Sequence, residues 1–122
     1  MATINGSGGV DEAGTYDYQW GSGSNVFAAS GDVGTPFKVP AFMRELTVQT
    51  TGTFTGSLAI QLQGSNDGTN YSQLSDVANA AISMTTTAIV RVNNPPKYIK
   101  PVATAGSGGA AASVFLHGIG MR

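Results

Sequence analysis

A chain of 122 residues with a formal charge of −1 and no cysteine has room for one hydrophobic core. It excludes disulfides and thiolate metal sites, and it carries no electrostatic footprint for nucleic acid or anionic lipid. Only 11% of the residues are charged, against about 25% in ordinary soluble domains, so a surface of Thr, Ser, Asn, Gln and Gly points to one partly covered by partners. No run approaches the ~20 apolar residues of a membrane span. The opening MATINGSGGVDEAG has neither the basic nor the apolar region of a secretory signal, so synthesis in a cytoplasm without an export signal is expected.

Residues 1–12 hold only Ile4 and Val10 as sizeable apolar side chains among Gly, Ser, Asn and acids. Such a segment does not build a packed element of its own and reads as an arm ordered by contact with a partner, ahead of a single domain over 13–122. Deleting it is then expected to leave the melting temperature of the isolated domain nearly unchanged.

The first strand signal is TYDYQW, Thr15 to Trp20. Period-two alternation puts Tyr16, Tyr18 and Trp20 on one face, as core or as a stacking platform for protein or sugar, and Asp17 and Gln19 on a solvent face. Short strands are predicted at Val26 to Ala29 and Phe37 to Val39. Leu46, Val48 and Thr50 then alternate with Glu45, Thr47 and Gln49, and Leu58, Ile60 and Leu62 with Ser57, Ala59, Gln61 and Gln63, so each set is a strand with one buried face. The segment Ser75 to Met84 supplies at most a short helix or a loop, and further strands are predicted at Ile82 to Met84, Ala88 to Val92, Tyr98 to Ala103 and Ser113 to Met121. In the last of these Val114, Leu116 and Gly118 share one face and Phe115, His117, Ile119 and Met121 the other. A strand apolar on both faces is covered on both, the second cover being a neighbouring subunit.

The Gly-rich runs at 6–9, 21–24 and 106–109 read as turns or flexible stretches, and the five prolines as strand ends or edges. About eight or nine short strands punctuated in this way predict an all-β fold, an antiparallel β-sandwich of jelly-roll topology.

The chain offers no constellation for catalysis. His117 is the single histidine, so it begins neither a zinc site nor a triad and reads as an exposed or hydrogen-bonded strand residue. The seven carboxylates single out no pair for glycoside hydrolysis. Asn66, Asp67, Gly68 and Asn70 carry oxygen ligands, but the run lacks the alternation and terminal Glu of an EF-hand, and a β-turn explains it better. No Gly run has phosphate-loop spacing. No catalytic residue, metal site or cofactor is expected, and the chain reads as a non-enzyme.

The stretch GSLAIQLQGSNDGTNYSQLSD, followed by AIVRVNNPPKYIKPVATA and the closing SVFLHGIGMR, resembles small β-sandwich virion proteins of tailed phages. In those proteins a strand runs into an SNDGTNY or SNDGTNW turn and a later strand carries YI[RK]P. The resemblance covers Leu46 to Arg122. It implies a capsid decoration, or cement, protein on the virion exterior, bound to the major capsid protein and self-associated, as a trimer. Ile4, Val10, Tyr16, Tyr18, Trp20, Phe115, Ile119 and Met121 are the expected protein-interface residues. A tail or fibre component, or a carbohydrate-binding sandwich stacking sugars on Tyr16, Tyr18 and Trp20, is the alternative.

Overall fold

The computed structural model describes residues 2–10, 14–40, 43–93 and 95–120, which form thirteen strands and no helix. In chain order the strands are β1 (Thr3–Ile4), β2 (Gly6–Val10), β3 (Thr15–Trp20), β4 (Phe27–Ala29), β5 (Val33–Gly34), β6 (Phe37–Lys38), β7 (Met43–Thr53), β8 (Ala59–Ser65), β9 (Ser72–Gln73), β10 (Ser83–Met84), β11 (Ala88–Arg91), β12 (Tyr98–Ala105) and β13 (Ser107–Gly120). The first sheet runs β1-β5-β12-β8-β10, with β6 also on β12 and β9 on β8; the second runs β11-β7-β13-β3-β2, with β4 also on β13.

Take β3, β5, β7, β8, β10, β11, β12 and β13 as eight successive strands. The second sheet holds the first, eighth, third and sixth side by side, and the first sheet the second, seventh, fourth and fifth. This order is the jelly roll, two Greek keys folded into a sandwich, and it bears out the fold read from the sequence.

Alternation builds the core. Trp20, Phe27, Leu46, Val48, Ile60, Leu62, Ile99 and Val114 are fully buried between the sheets, each projecting from the inward face of its strand, and Leu58, just ahead of β8, is buried with them. Pairing is antiparallel throughout except for β1 with β5.

Three features differ from the sequence reading. Residues 3–10 are not a detached arm: β1 pairs with β5, β2 pairs with β3, and Ile4 is wholly buried in the core. A single apolar side chain suffices there because neighbouring strands supply the backbone partners. The Gly run at 6–9 is therefore a strand, and that at 106–109 leads into and opens β13, with Gly106, Gly108 and Gly109 at positive φ; only 21–24 behaves as a turn, closed by reciprocal backbone bonds between Ser22 and Asn25.

Pro101 is the third. It sits inside β12, paired with Leu62 of β8, rather than at a strand end. The N–H of Leu74 donates to Leu62 O and that of Leu62 to Ile82 O, so Leu62 bonds away from β12 and the Pro101 nitrogen faces the opposite neighbour. There β5 ends at Gly34 and β6 starts at Phe37. A missing N–H is tolerated at that interruption.

Candidate binding surfaces

The two sequence motifs that carry the phage resemblance meet at one end of the sandwich. Ser65 Oγ accepts the N–H groups of Asp67 (3.2 Å) and Gly68 (3.0 Å), while Asp67 Oδ1 accepts those of Thr69 and Asn70 at 2.8 Å each. The backbone N–H of Asn70, then that of Thr69, then the side chains of Asn70 and Ser65 hold the Asp67 carboxyl well below the usual carboxylate range. Gly68 takes φ 79°, and a Cβ there would lie 3.3 Å from the ring of Tyr98. Asn66 Oδ1 accepts the Lys97 N–H at 3.0 Å, and Lys100 Nζ lies 4.1 Å from the centre of the Tyr71 ring. The turn and the YIKP strand are thus one packed unit. Burial, with Tyr98 and Asp67 nearby, pushes the Tyr71 phenol up, and its hydroxyl is buried with no hydrogen-bond partner among the described residues.

Beside this unit a groove of about 620 Å³ is lined by Val39, Pro40, Met43 and Pro96, with Lys38 and Lys97 at its sides. Lys38, Lys97 and Lys100 are three of the chain's six Lys and Arg. The groove is mainly apolar, with the cations Lys38 and Lys97 in its lining and the carboxylate of Asp67 in the adjoining turn.

The second surface is the outward face of the second sheet, where a trough of about 710 Å³ runs across the strands. Strand register sets its rows. One row is Ser7, Gln19, Phe115, Gln49 and Ile89, and the next is Gly9, Asp17, His117, Thr47 and Arg91. His117 Nδ1 and Asp17 Oδ1 are hydrogen-bonded, and Arg91 Nη2 meets Glu45 Oε1 at 2.5 Å. Both pairs are half-exposed, so each supplies orientation and mutual neutralisation rather than much stability.

The residues expected to form a protein interface divide between inside and outside. Trp20 is buried, donating from Nε1 to Thr35 O at 2.7 Å, and Tyr16 and Tyr18 pack inward on Phe37 at ring-centre distances of 5.4 and 4.5 Å. The aromatic row is core, which corrects the stacking-platform reading of Tyr16, Tyr18 and Trp20. Ile4 is core as well. Val10 (63% exposed) and Ile119 (48%) are at the surface, and Phe115 is half-buried on the outward face; Met121 lies outside the described residues. The division of β13 into an inward Val114, Leu116 and Gly118 and an outward Phe115, His117 and Ile119 is as read from the sequence. Gln19, Thr47, Gln49 and Ile89 were not singled out. Alternation placed the first three on outer faces, but only register brings them together around Phe115.

No family model and no curated protein matches this chain. Among solved structures, the SPBc2 prophage-derived protein YomS is similar with a TM-score of 0.61 at 15% identity, over 86% of this chain and 94% of that one. Peruvianin-I, a cysteine peptidase from Thevetia peruviana latex, is similar with a TM-score of 0.53 at 10% identity; this chain is covered over 98% but spans only 63% of the peptidase. At these identities the likeness is one of fold.

Proposed function

We propose that the chain is a structural protein of a tailed-phage particle, a capsid decoration protein that attaches to the outer shell of major capsid proteins through the turn end of the sandwich. The observation that carries this reading is the packing of the Ser65–Tyr71 turn on the Tyr98–Pro101 strand next to an apolar groove flanked by Lys38 and Lys97. The motifs of the resemblance thereby form one surface, and a cationic rim around an apolar groove suits an acidic protein partner. The jelly roll shared with a prophage-derived protein over nearly its whole length supports the same reading.

The test is co-sedimentation of the purified protein with particles assembled without it. Saturable binding is expected, with Lys38→Glu/Lys97→Glu weakening it and raised salt doing the same. Absence of the wild-type protein from the pelleted particles would overturn the assignment, and immunogold labelling confined to tails would move it to a tail or fibre component.

A further inference from the structure

The outward face of the second sheet serves neither the core nor the proposed attachment end, and its chemistry is of a different kind. At its centre Phe115 lies between Gln19 on β3 and Gln49 on β7, each directly opposite in register. Neighbouring strands lie about 4.8 Å apart, so Gln19 and Gln49 leave the sheet one strand spacing to either side of Phe115. Gln19 is fixed by donating from Nε2 to Gly21 O at 2.8 Å, which leaves its Oε1 and a second N–H free to bond a ligand, and the Gln49 side chain is exposed. A primary amide offers a donor and an acceptor side by side, the pattern that adjacent hydroxyls of a sugar complete.

Charge argues in the same direction. Asp17 is paired with His117 and Arg91 with Glu45, so the row beside Phe115 holds no cation aimed at phosphate, sulfate or carboxylate. The central row, Ser7, Gln19, Phe115, Gln49 and Ile89, is wholly uncharged. It crosses five strands, about 19 Å by interstrand spacing, and is bounded by the Gly-rich β2 on one side and by Ile89, 66% exposed, on the other. A second protein would be expected to meet a contiguous apolar centre with a polar rim. Here a single aromatic ring, Phe115, has an amide residue on either side, and the exposed aliphatic side chains Val10, Ile89 and Ile119 stand apart from it at the margins.

We infer that this trough binds a neutral polysaccharide, one sugar ring stacking on Phe115 with its hydroxyls bonded to Gln19 and Gln49. The inference does not rest on the attachment proposed above, and it moves sugar stacking from the inward-packed Tyr16, Tyr18 and Trp20 to the opposite face of the same sheet.

Native affinity electrophoresis in gels containing hydroxyethylcellulose, galactomannan or dextran, with alginate as the anionic control, tests it. At least one neutral polymer is expected to retard the protein, equally at low and high salt. Gln19→Ala and Gln49→Ala should each weaken retardation roughly three- to tenfold, and Phe115→Ala should abolish it. Gln49 is exposed, so its variant reports on binding even if Phe115→Ala is unstable. Retardation by none of the neutral polymers overturns the inference, as does retardation unchanged in the Gln19→Ala/Gln49→Ala double variant or seen with alginate alone. An oligomer in sedimentation velocity that Ile89→Lys disperses, with no polymer retarding the protein, would assign the face to a second copy instead.

Discussion

The two faces of β3 differ in kind, although they alternate residue by residue. Inward, Trp20 is fully buried, stacked edge-on against Tyr18 at 4.9 Å and Phe37 at 6.3 Å. Outward, Gln19 and Asp17 stand in the trough. The strand thus holds the fold with one face and presents a ligand surface with the other, and a change on one face should leave the other's property untouched. Trp20→Ala removes a buried ring and orphans the Thr35 carbonyl, at an expected cost of about 3–5 kcal/mol. Gln19→Ala, one residue away, should stay within about 0.5 kcal/mol. Urea unfolding of both variants checks the contrast, and comparable midpoints would show that the strand's facing is wrong.

The same contrast appears within residues 2–10. Ile4 is completely buried and Val10 is 63% exposed. Ile4→Ala should cost about 2–5 kcal/mol and Val10→Ala within about 0.5 kcal/mol. Removal of residues 1–5 should lower the melting temperature by as much as Ile4→Ala or more, where an independent arm would leave it unchanged. Thermal melts of the three variants decide between a strand that completes the core and an appendage.

At the turn end, the comparison is between two adjacent exposed residues with different backbones. Gly68 has φ 79° and faces Tyr98, whereas the φ of Thr69 is not positive. Gly68→Val combines a β-branched side chain with a left-handed backbone and should cost about 1–3 kcal/mol. Thr69→Val keeps its N–H bond to Asp67 and should be near neutral. Equal melting temperatures would mean that the turn's backbone does not have this conformation.

What could be read in advance follows from where side chains carry a periodic signal. The strands from Thr15, Leu46, Leu58 and Ser113 alternate large apolar and polar residues, and the jelly roll follows from their number and spacing. The early part of β13 is invisible because its inward residues are Ala110 and Ala112, too small to stand out among Gly and Ser. β1 rests on Ile4 alone, and one residue has no period. β5 and β9 are two residues long and exist through their partners' backbone bonds. The trough was hidden for another reason: Gln19, Gln49 and Phe115 come from three strands far apart in sequence, and each looks like ordinary solvent-facing decoration until register sets them side by side.

Asp32 gives the smallest expected effect and sharpens the difference between an interior and an exterior carboxylate. It is 5% exposed, and its oxygens accept the N–H groups of Ala28 (2.9 Å), Ala29 (3.0 Å) and Ala2 (3.0 Å), so it fastens the start of the chain to the β4–β5 turn. Burial pushes its pKa up, but these three backbone donors outweigh burial and hold the carboxyl below its ordinary value. A depressed folded-state pKa means that the unfolded chain takes up the proton first. The stabilisation is therefore present at pH above the unfolded value of about 3.9 and is lost as pH falls through the lower folded-state value. Asp32→Asn keeps one acceptor oxygen and removes the charge, so at neutral pH it should cost on the order of 1 kcal/mol. Its stability should also fall less steeply than that of the wild type as pH drops below about 4. Asp17, exposed in the trough and bonded to His117, should contribute at most about 1 kcal/mol when changed to Asn. Chemical denaturation from neutral pH down to the acid limit of folding measures the difference. If Asp32→Asn follows the wild-type pH curve, the carboxylate does not tie the first strand to the turn, and the placement of β1 in the first sheet must then rest on Ile4 and on its backbone pairing with β5.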